Sequence, residues 1–417
     1  MEGEGSEKVG ISHRIVFLIA VFFTGAVAGA FLWAVLFCMN IGISAIWDRV
    51  PIYLGDLYPL IVCIIGGVVI GLFAKCFGPY PDSLPQVMAK VKSTGRYEYK
   101  DIGKMSVAAL LPLVFGGSVG PEAGLTGVIA AVCTWVGDRM KRLGSEVREM
   151  TEVGMYAALS AIFVAPLFGF AGVAGKSDAP KPSRIMKIVI YVFAITGALL
   201  ALLMLSHYVG GSLSLPRYGH VDYSMNEVLW LVPICLVGAI GGWIFSVSDV
   251  LFERLAVRFV ERCVLKAVTG GIVLGICGIV LPLTMFSGEL QAEEINVTWM
   301  TMSASVLLLT GFVKIPLTAF CVNMGWRGGH FFPVIFSGIA IGYGLALLIG
   351  VDPVLAVCAT TAAVVGGVTR KPLMAVLLLF LCFPVYDVVI LAIAAVIGAY
   401  LPLPKFAIHG KPSADEE

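Results

Sequence analysis

Charged residues are scarce in this chain. Asp, Glu, Lys and Arg make up 13% of its 417 residues, about half the share found in soluble domains. So few charges could not cover the surface of a water-soluble protein of this size, and a mean hydropathy of +0.95 indicates lipid as the solvent. The composition excludes a disordered chain and argues against a soluble enzyme. Because the net charge is only +1, nothing favours nucleic-acid binding.

The chain also lacks the short signatures of metal sites and of common enzyme classes. Its 10 cysteines stand singly within apolar runs and form no C-x-x-C pair, which is typical of small buried side chains and not of zinc ligands or disulfides. There is no H-E-x-x-H motif and no P-loop. We therefore expect a protein that is not an enzyme and that needs no cofactor or metal.

Apolar runs fill most of the chain instead. Six are long enough to cross a hydrocarbon core as helices, at about 15–43, 57–77, 185–208, 226–251, 265–286 and 296–324. Shorter apolar pieces lie between them, interrupted by Gly and Pro, and include 105–115, 121–137, 331–349, 353–367 and 372–400. Pieces that are too short to cross alone indicate tilted, broken or re-entrant helices. The fold class predicted is an all-α polytopic membrane protein.

Basic residues are concentrated in four of the connecting segments. Of the 28 Lys and Arg residues, 17 lie in 88–104, 138–149, 176–187 and 252–266. The segments that alternate with these contain almost none, and the charged side chains of 287–295 are all acidic. By the positive-inside rule the basic segments are cytoplasmic. Both termini should then be cytoplasmic, and the short loops suggest a bacterial inner membrane.

The two halves of the chain share a pattern of helix breaks. A Gly-Gly–Pro break at 116–121 is followed by Ala-Pro-Leu at 165–167, and a second break at 328–333 is followed by Lys-Pro-Leu at 371–373. Matching interrupted segments in two halves indicate a membrane transport site between inverted repeats. The predicted organisation has a cytoplasmic segment 1–14, a first transmembrane repeat 15–208, an extracellular linker 209–225, a second repeat 226–402 and a cytoplasmic tail 403–417.

Helix breaks of this kind predict an anion site. A helix that begins inside the membrane exposes backbone N–H groups, which carry the positive end of the helix dipole. Several such ends can bind an anion without a full positive charge. Weak binding at several sites allows an anion to leave quickly, as conduction requires.

At these residues the sequence resembles the CLC family of chloride channels and proton-coupled chloride antiporters. Segment 117–121 is similar to the family motif G-(R/K)-E-G-P, and 329–333 is similar to G-x-F-x-P. Segment 81–85 resembles a degraded G-S-G-I-P, and 163–169 resembles F-N-A-P-L-A-G. The likeness runs from about residue 15 to about 402. It implies an all-helical homodimer with two inverted repeats and one anion pathway in each subunit.

The resemblance also assigns roles to particular residues. The anion pathway it implies is formed by Ser83, Gly117, Ser118, Val119, Gly120, Gly329, His330, Phe331 and Phe332. Val119 takes the position of the family's gating glutamate, and Gly175 or Lys176 falls near the place of the inner proton-transfer glutamate. Since neither position carries a carboxylate, the resemblance predicts a passive chloride channel that is not coupled to protons.

Several departures from the family leave alternatives open. The motif's basic residue is Ser118 here, and the pathway serine aligns with Asp82, which would repel anions, unless a one-residue shift places Ser83 there. We expect the family's C-terminal pathway tyrosine to be missing, because 409–412 is followed only by Ser413 and an acidic tail.

Four single residues can each be interpreted in two ways. Val119 either constricts the pathway or packs, and His330 either titrates or packs. Glu122 either stabilises a helix dipole or replaces the absent gate. Lys314, a lone charge in an apolar run, is either functional or structural.

Three functions therefore remain in competition. The first is a passive channel for chloride and similar monovalent anions. The second is a proton-coupled antiporter that uses Glu122 or Asp82 as a displaced relay. The third is a cation or neutral-solute carrier that reuses the fold, which Asp82 motivates. Only site residues can decide among them, because a fold does not fix a function.

Overall fold

The structure, a computed structural model, describes residues 2–48, 55–78, 80–82, 84–140, 147–163, 165, 167, 184–210, 215–219, 224–259 and 261–408. The α-helices in the first half of this part are α1 (Glu2–Trp47), α2 (Tyr58–Phe77), α3 (Leu84–Thr94), α4 (Ile102–Val114), α5 (Pro121–Met140), α6 (Val147–Ile162) and α7 (Arg184–Val209). Those in the second half are α8 (Met225–Val257), α9 (Cys263–Val280), α10 (Glu289–Thr298), α11 (Ala304–Asn323), α12 (Phe331–Ile349), α13 (Pro353–Thr369), α14 (Pro372–Leu379), α15 (Val388–Tyr400) and α16 (Lys405–Ile408).

This all-helical architecture confirms the predicted fold class. Within the described ranges, seven helices are long and apolar enough to cross a membrane, at Ile15–Trp47, Gly55–Phe77, Ile188–Val209, Glu227–Val257, Cys263–Val280, Ala304–Asn323 and Phe331–Ile349. Shorter apolar helices cover Ile102–Val114, Pro353–Thr369 and Val385–Tyr400. The structure therefore combines full-length and short apolar helices, as the sequence predicted.

Some predicted boundaries are wrong. The run 265–286 was expected to be one span, but α9 ends at Val280 and a short 3-10 turn follows at Pro282–Thr284. A proline lacks the N–H that would continue the helix. The run 296–324 was also expected to be one span. Its helix α11 begins only after Ser303, whose hydroxyl accepts a hydrogen bond from the N–H of Val306.

Two segments predicted as loops contain helices. The basic segment 88–104 begins inside α3, and the acidic segment 287–295 forms most of α10. Hydropathy detects helices through their long apolar runs, so helices with mixed polar composition escape it. The N-terminal segment 1–14 is likewise continuous with α1 from Glu2 onward.

The chain divides into two compact units. The first comprises 1–41, 81–107 and 122–213, and the second comprises 42–80, 108–121 and 214–417. The second unit takes 42–80 and 108–121 from the predicted first repeat and also contains the whole of the predicted second repeat. The limits of the units therefore differ from those of the predicted repeats. The division into two inverted repeats stays a prediction.

The first unit is held together by close helix contacts at small residues. Gly25 and Gly29 of α1 face the backbone of α7, where an added Cβ would lie 2.1 Å from the carbonyl oxygen of Ala194 and 2.2 Å from that of Ala198. This spacing of two glycines is a common packing motif of membrane helices.

The second unit contains the same kind of close helix contact at two glycines, between two largely buried helices. Gly338 and Gly342 of α12 contact α13, where an added Cβ would lie 2.5 Å from the Cα atoms of Thr361 and Val357. Most residues of α12 and α13 are buried, including polar ones such as Ser337. The centre of this unit is therefore a tightly packed helix pair, whose first helix, α12, begins at the second break.

The ten cysteines are all free thiols, which agrees with the prediction that they do not form disulfides. Large apolar side chains are exposed along the outer helices, for example Leu203 on α7 and Val396 on α15. Exposed apolar surface of this extent is expected where helices face lipid.

The side chain of Arg370 caps the C-terminus of a helix in the second unit. Its guanidinium donates hydrogen bonds of 2.7 Å to the carbonyl oxygens of Ala399 and Leu401 at the C-terminus of α15. Those carbonyls have no acceptor role within their own helix, and a cation there also complements the helix dipole. We expect Arg370→Ala to destabilise the protein by about 1–3 kcal/mol. The measurement is the apparent Tm in detergent, which should fall for Arg370→Ala and stay at the wild-type value for the control Arg258→Ala, since Arg258 is exposed. Equal Tm values for the two variants would contradict the prediction.

Candidate functional site

The first break is a tight turn between α4 and α5. The N–H of Gly117 donates to the carbonyl oxygen of Pro112 at 2.7 Å, and the N–H of Val119 donates to the carbonyl oxygen of Gly117 at 2.8 Å. A Cβ at Gly117 would lie 2.6 Å from that Pro112 oxygen. Only glycine therefore allows the chain to fold back over the end of α4 before α5 begins at Pro121.

The second break ends where α12 begins. His330 is the residue before the helix and makes no side-chain capping hydrogen bond, and Phe331 and Phe332 form the start of the first turn. The N–H groups of a first turn have no carbonyl partner within their own helix. They give this end of α12 a partial positive charge.

The two breaks are hydrogen-bonded to each other. The N–H of Gly120 donates to the carbonyl oxygen of Gly329 at 2.7 Å, and the N–H of Gly329 donates to that of Gly120 at 2.6 Å. This antiparallel bridge is the only isolated β-bridge in the described part of the chain. It brings the residues preceding α5 and α12 into direct contact, so the two motifs from opposite halves of the sequence form one structural unit.

Val119 packs across this bridge. Its side chain is fully buried, and its Cβ and Cγ2 atoms lie 2.7 Å from the position that a Cβ on Gly328 would occupy. Glycine at 328 is thus required by the proximity of the valine. The position that resembles the family's gate is filled by an apolar side chain that cannot ionise.

The Ser118 hydroxyl is turned towards α11. Its Oγ lies 3.1 Å from Oγ1 of Thr318, which in turn lies 2.9 Å from the carbonyl oxygen of Lys314. Thr318 has one hydroxyl proton, so when it donates to Lys314 the hydrogen bond between the hydroxyls is donated by Ser118. Residues 116–120 also match the letters G-x-S-x-G, but the run follows a helix and not the strand that a nucleophile elbow needs.

Aromatic rings surround the start of α12. The imidazole of His330 stacks on the ring of Phe331 at 4.9 Å and lies 5.2 Å from the ring of Phe245 on α8. Phe331 and Phe332 are both buried, whereas His330 is half-buried. The histidine is therefore held by aromatic packing on two sides.

Asp82 is paired with other side chains of its own unit. Its Oδ2 atom lies 2.6 Å from Nζ of Lys90 and accepts a hydrogen bond of 2.7 Å from the hydroxyl of Tyr97. The negative charge is thus compensated locally. Ser83, the alternative pathway serine, lies outside the described residues.

Glu122 lies in the first turn of α5 and its side chain is fully buried. The carbonyl oxygen of Glu122 accepts a hydrogen bond from the hydroxyl of Thr126 one turn later. An acidic residue at this place is favoured by the helix dipole. Gly175, Lys176 and the tail 409–412 lie outside the described residues, so the predictions made for them stay predictions.

Some residues that shape the site gave little signal in the sequence. Trp326 is fully buried and donates from Nε1 to the carbonyl oxygen of Ala267 at 2.8 Å, while its ring would meet a Cβ on Gly117 at 3.0 Å. Thr318 positions Ser118 from 200 residues away. Trp326 lies next to the second break in the sequence, and Thr318 lies four residues after Lys314. Nothing in the sequence near either residue predicts its hydrogen-bond partner.

Known proteins resemble this chain over most of its length. The family model described as "Voltage gated chloride channel" matches residues 66–402. A candidate ion-transport protein, YfeO, of Salmonella choleraesuis (strain SC-B67) is 26% identical over 337 residues, which is 77% of each chain. Its counterpart in Salmonella newport (strain SL254) is 25% identical over the same share.

Solved structures share the fold. The crystal structure of a slow cyanobacterial Cl-/H+ antiporter matches with a TM-score of 0.77 and 18% identity, covering 95% of this chain and 96% of that one. A CLC-type fluoride/proton antiporter matches with a TM-score of 0.69 and 19% identity, covering 94% and 95%. Since the family model covers most of the chain and the fold agrees, the resemblance found in the sequence is confirmed, and this chain belongs to the voltage-gated chloride channel family.

Proposed function

We propose that this protein is a passive channel for chloride and similar monovalent anions and that it does not couple their movement to protons. The observation that carries the proposal is the Gly120–Gly329 bridge, which joins two helix-start breaks from opposite halves of the chain. The pathway would include the residues that the family resemblance assigns, from Gly117 to Gly120 and from Gly329 to Phe332.

The electrostatics of the breaks favour an anion over a cation. The N–H groups of Gly120 and Gly329 are used in the bridge, so the attraction for an anion comes from the positive ends of the α5 and α12 dipoles. The one acid considered for the pathway of a cation carrier, Asp82, is paired with Lys90 and Tyr97. Binding by backbone dipoles is weaker than binding by a full charge, which suits rapid passage.

The side chain at the gate position supports an uncoupled mechanism. A proton relay needs a group that gains and loses a proton at this point, and Val119 cannot do so. Its isopropyl group packs against Gly328, so any gating at this place would come from movement or dewetting of an apolar constriction.

The anion preference is tested by reversal potentials of the purified protein in planar bilayers. With a gradient of potassium chloride, the reversal potential should approach the equilibrium potential of chloride. A value near the potassium equilibrium potential would contradict the proposal and support the cation carrier. Replacing potassium with a large organic cation should leave the current unchanged, which separates a true anion pathway from a nonselective leak.

A proton-coupled antiporter is the second candidate, and buried Glu122 is the residue that favours it. Both solved structures compared above are antiporters. If the protein is a channel, Glu122→Gln will leave the ratio of protons to chloride at zero and change chloride flux less than about threefold, as expected for a group that acts through the helix dipole. Proton movement in the wild type that Glu122→Gln abolishes would establish the antiporter.

We also propose that the protein is a homodimer in the bacterial inner membrane, with both termini cytoplasmic. Exposed apolar residues of α15 form one stripe, at Val389, Ile393, Val396 and Tyr400. Such a stripe can face either lipid or a second subunit. Light scattering of the detergent-solubilised protein should give twice the chain mass, and a monomer would contradict this proposal without affecting the anion pathway.

A further inference from the structure

Lys314 is a fully buried cation in the middle of α11. Its Nζ atom lies 3.3, 3.0, 2.8 and 2.9 Å from the backbone carbonyl oxygens of Leu283, Thr284, Met285 and Phe286, which share its three N–H donors. A buried ammonium is costly unless hydrogen bonds compensate it. Here a cage of four consecutive carbonyls supplies those hydrogen bonds.

The backbone of the cage is shaped around this ammonium. Four successive carbonyls converge on one nitrogen atom. They span the end of the 3-10 turn at Pro282–Thr284 and Phe286, whose φ is 58°. A positive φ at a bulky residue is strained and persists only where its surroundings enforce it.

The cage is attached directly to the first break. The N–H of Phe286, whose carbonyl binds the ammonium, donates to the carbonyl oxygen of Gly116 at 3.0 Å. On the other side, the carbonyl of Lys314 itself accepts from Thr318, which contacts Ser118. Two separate hydrogen-bonded paths therefore connect Lys314 with the turn that precedes α5.

The ammonium also lies against the helix of the second break. Nζ is 4.8 Å from the centre of the Phe336 ring, near the start of α12. The Lys314 side-chain nitrogen is thus enclosed between elements of both breaks. An ionisable residue within a membrane segment is a candidate functional residue by default, and a charge acts more strongly on an anion where water is excluded.

We propose that Lys314 is the fixed positive charge of the anion pathway, held behind the two breaks by the 283–286 carbonyl cage, and this rests on the proposed anion function. The ammonium does not bind the anion directly, because its protons are engaged by the cage. It raises the local concentration and affinity of anions at the helix starts through its field. Glu289, a buried acid in the first turn of α10, interacts electrostatically with Lys314 and weakens that field.

Opposite charge changes at Lys314 and Glu289 test this role. In liposomes, Lys314→Met should raise the chloride concentration for half-maximal flux at least about tenfold, while Glu289→Gln should lower it about twofold, since screening by the carboxylate is lost. Lys75→Met, an exposed lysine in the last turn of α2, removes the same charge and should change nothing.

The outcomes separate this inference from the proposed function. Lack of chloride flux in the wild type would refute the anion channel itself. A wild type that conducts, together with a folded Lys314→Met protein whose half-maximal concentration is unchanged, would overturn the role of Lys314. A lysine that only supports the turn would lower the maximal rate and leave that concentration unchanged. If Lys314→Met does not fold, the test is made with Glu289→Gln. A lower chloride concentration for half-maximal flux in that variant supports the proposal, and an unchanged concentration overturns it.

Discussion

Val119→Glu will reduce chloride flux at neutral pH by at least about tenfold, because a carboxylate there would compete with anions for the same helix dipoles. Val119 is enclosed between the two breaks and packs against Gly328. A negative charge introduced at this point would repel every anion that passes. Acidification should restore part of the flux, since protonation removes the charge. The measurement is chloride efflux from liposomes over a range of external pH.

Val119→Gln is the matched control, with the same size and hydrogen-bonding length but no charge. It should retain much more flux than Val119→Glu and show no recovery in acid. Equal inhibition by both variants would mean that the site rejects any larger side chain. That result would leave Val119 as a packing residue and remove it from the anion pathway.

Gly117→Ala will abolish most transport activity and lower the apparent Tm. A Cβ there would lie 2.6 Å from the Pro112 carbonyl oxygen, the acceptor for the N–H of Gly117, and 3.0 Å from the Trp326 ring. Overpacking of a rigid site costs about 1–3 kcal/mol or more. Moving this turn would also displace Gly120 from Gly329, so we expect a loss of flux of at least about tenfold.

Gly103→Ala is the control for this variant, because Gly103 lies in α4, the helix before the first break, and an added Cβ there meets nothing within 4 Å. In a helix, alanine is favoured over glycine by about 1 kcal/mol. Gly103→Ala should therefore keep full activity. Retention of wild-type flux and Tm by Gly117→Ala would contradict the geometry of the first break.

Much of the fold follows from the sequence because proline and glycine mark where helices start. Pro121 and Pro372 each stand at the first position of a helix, as the pattern of breaks predicted. Apolar runs identified most of the spans. The helices that escaped prediction, α3 and α10, are short and of mixed polarity, and a hydropathy pattern has no means of marking them.

The site was predictable as two motifs but not as one structure. Each Gly–Pro break signals a helix start locally, yet no local property shows that Gly120 and Gly329 exchange both hydrogen bonds. The contact between Ser118 and Thr318 is equally nonlocal. Lys314 was conspicuous as a lone charge, but its four carbonyl partners come from a turn that only the folded chain creates.

Chloride efflux from reconstituted liposomes, with external pH recorded at the same time, tests the central claim most directly. An uncoupled channel should release chloride as soon as a potassium ionophore removes the opposing voltage, with no linked proton movement and no effect of a proton ionophore on the rate. Proton uptake in a fixed ratio to chloride release would contradict this account and would establish that Glu122 or another acid has taken over the relay.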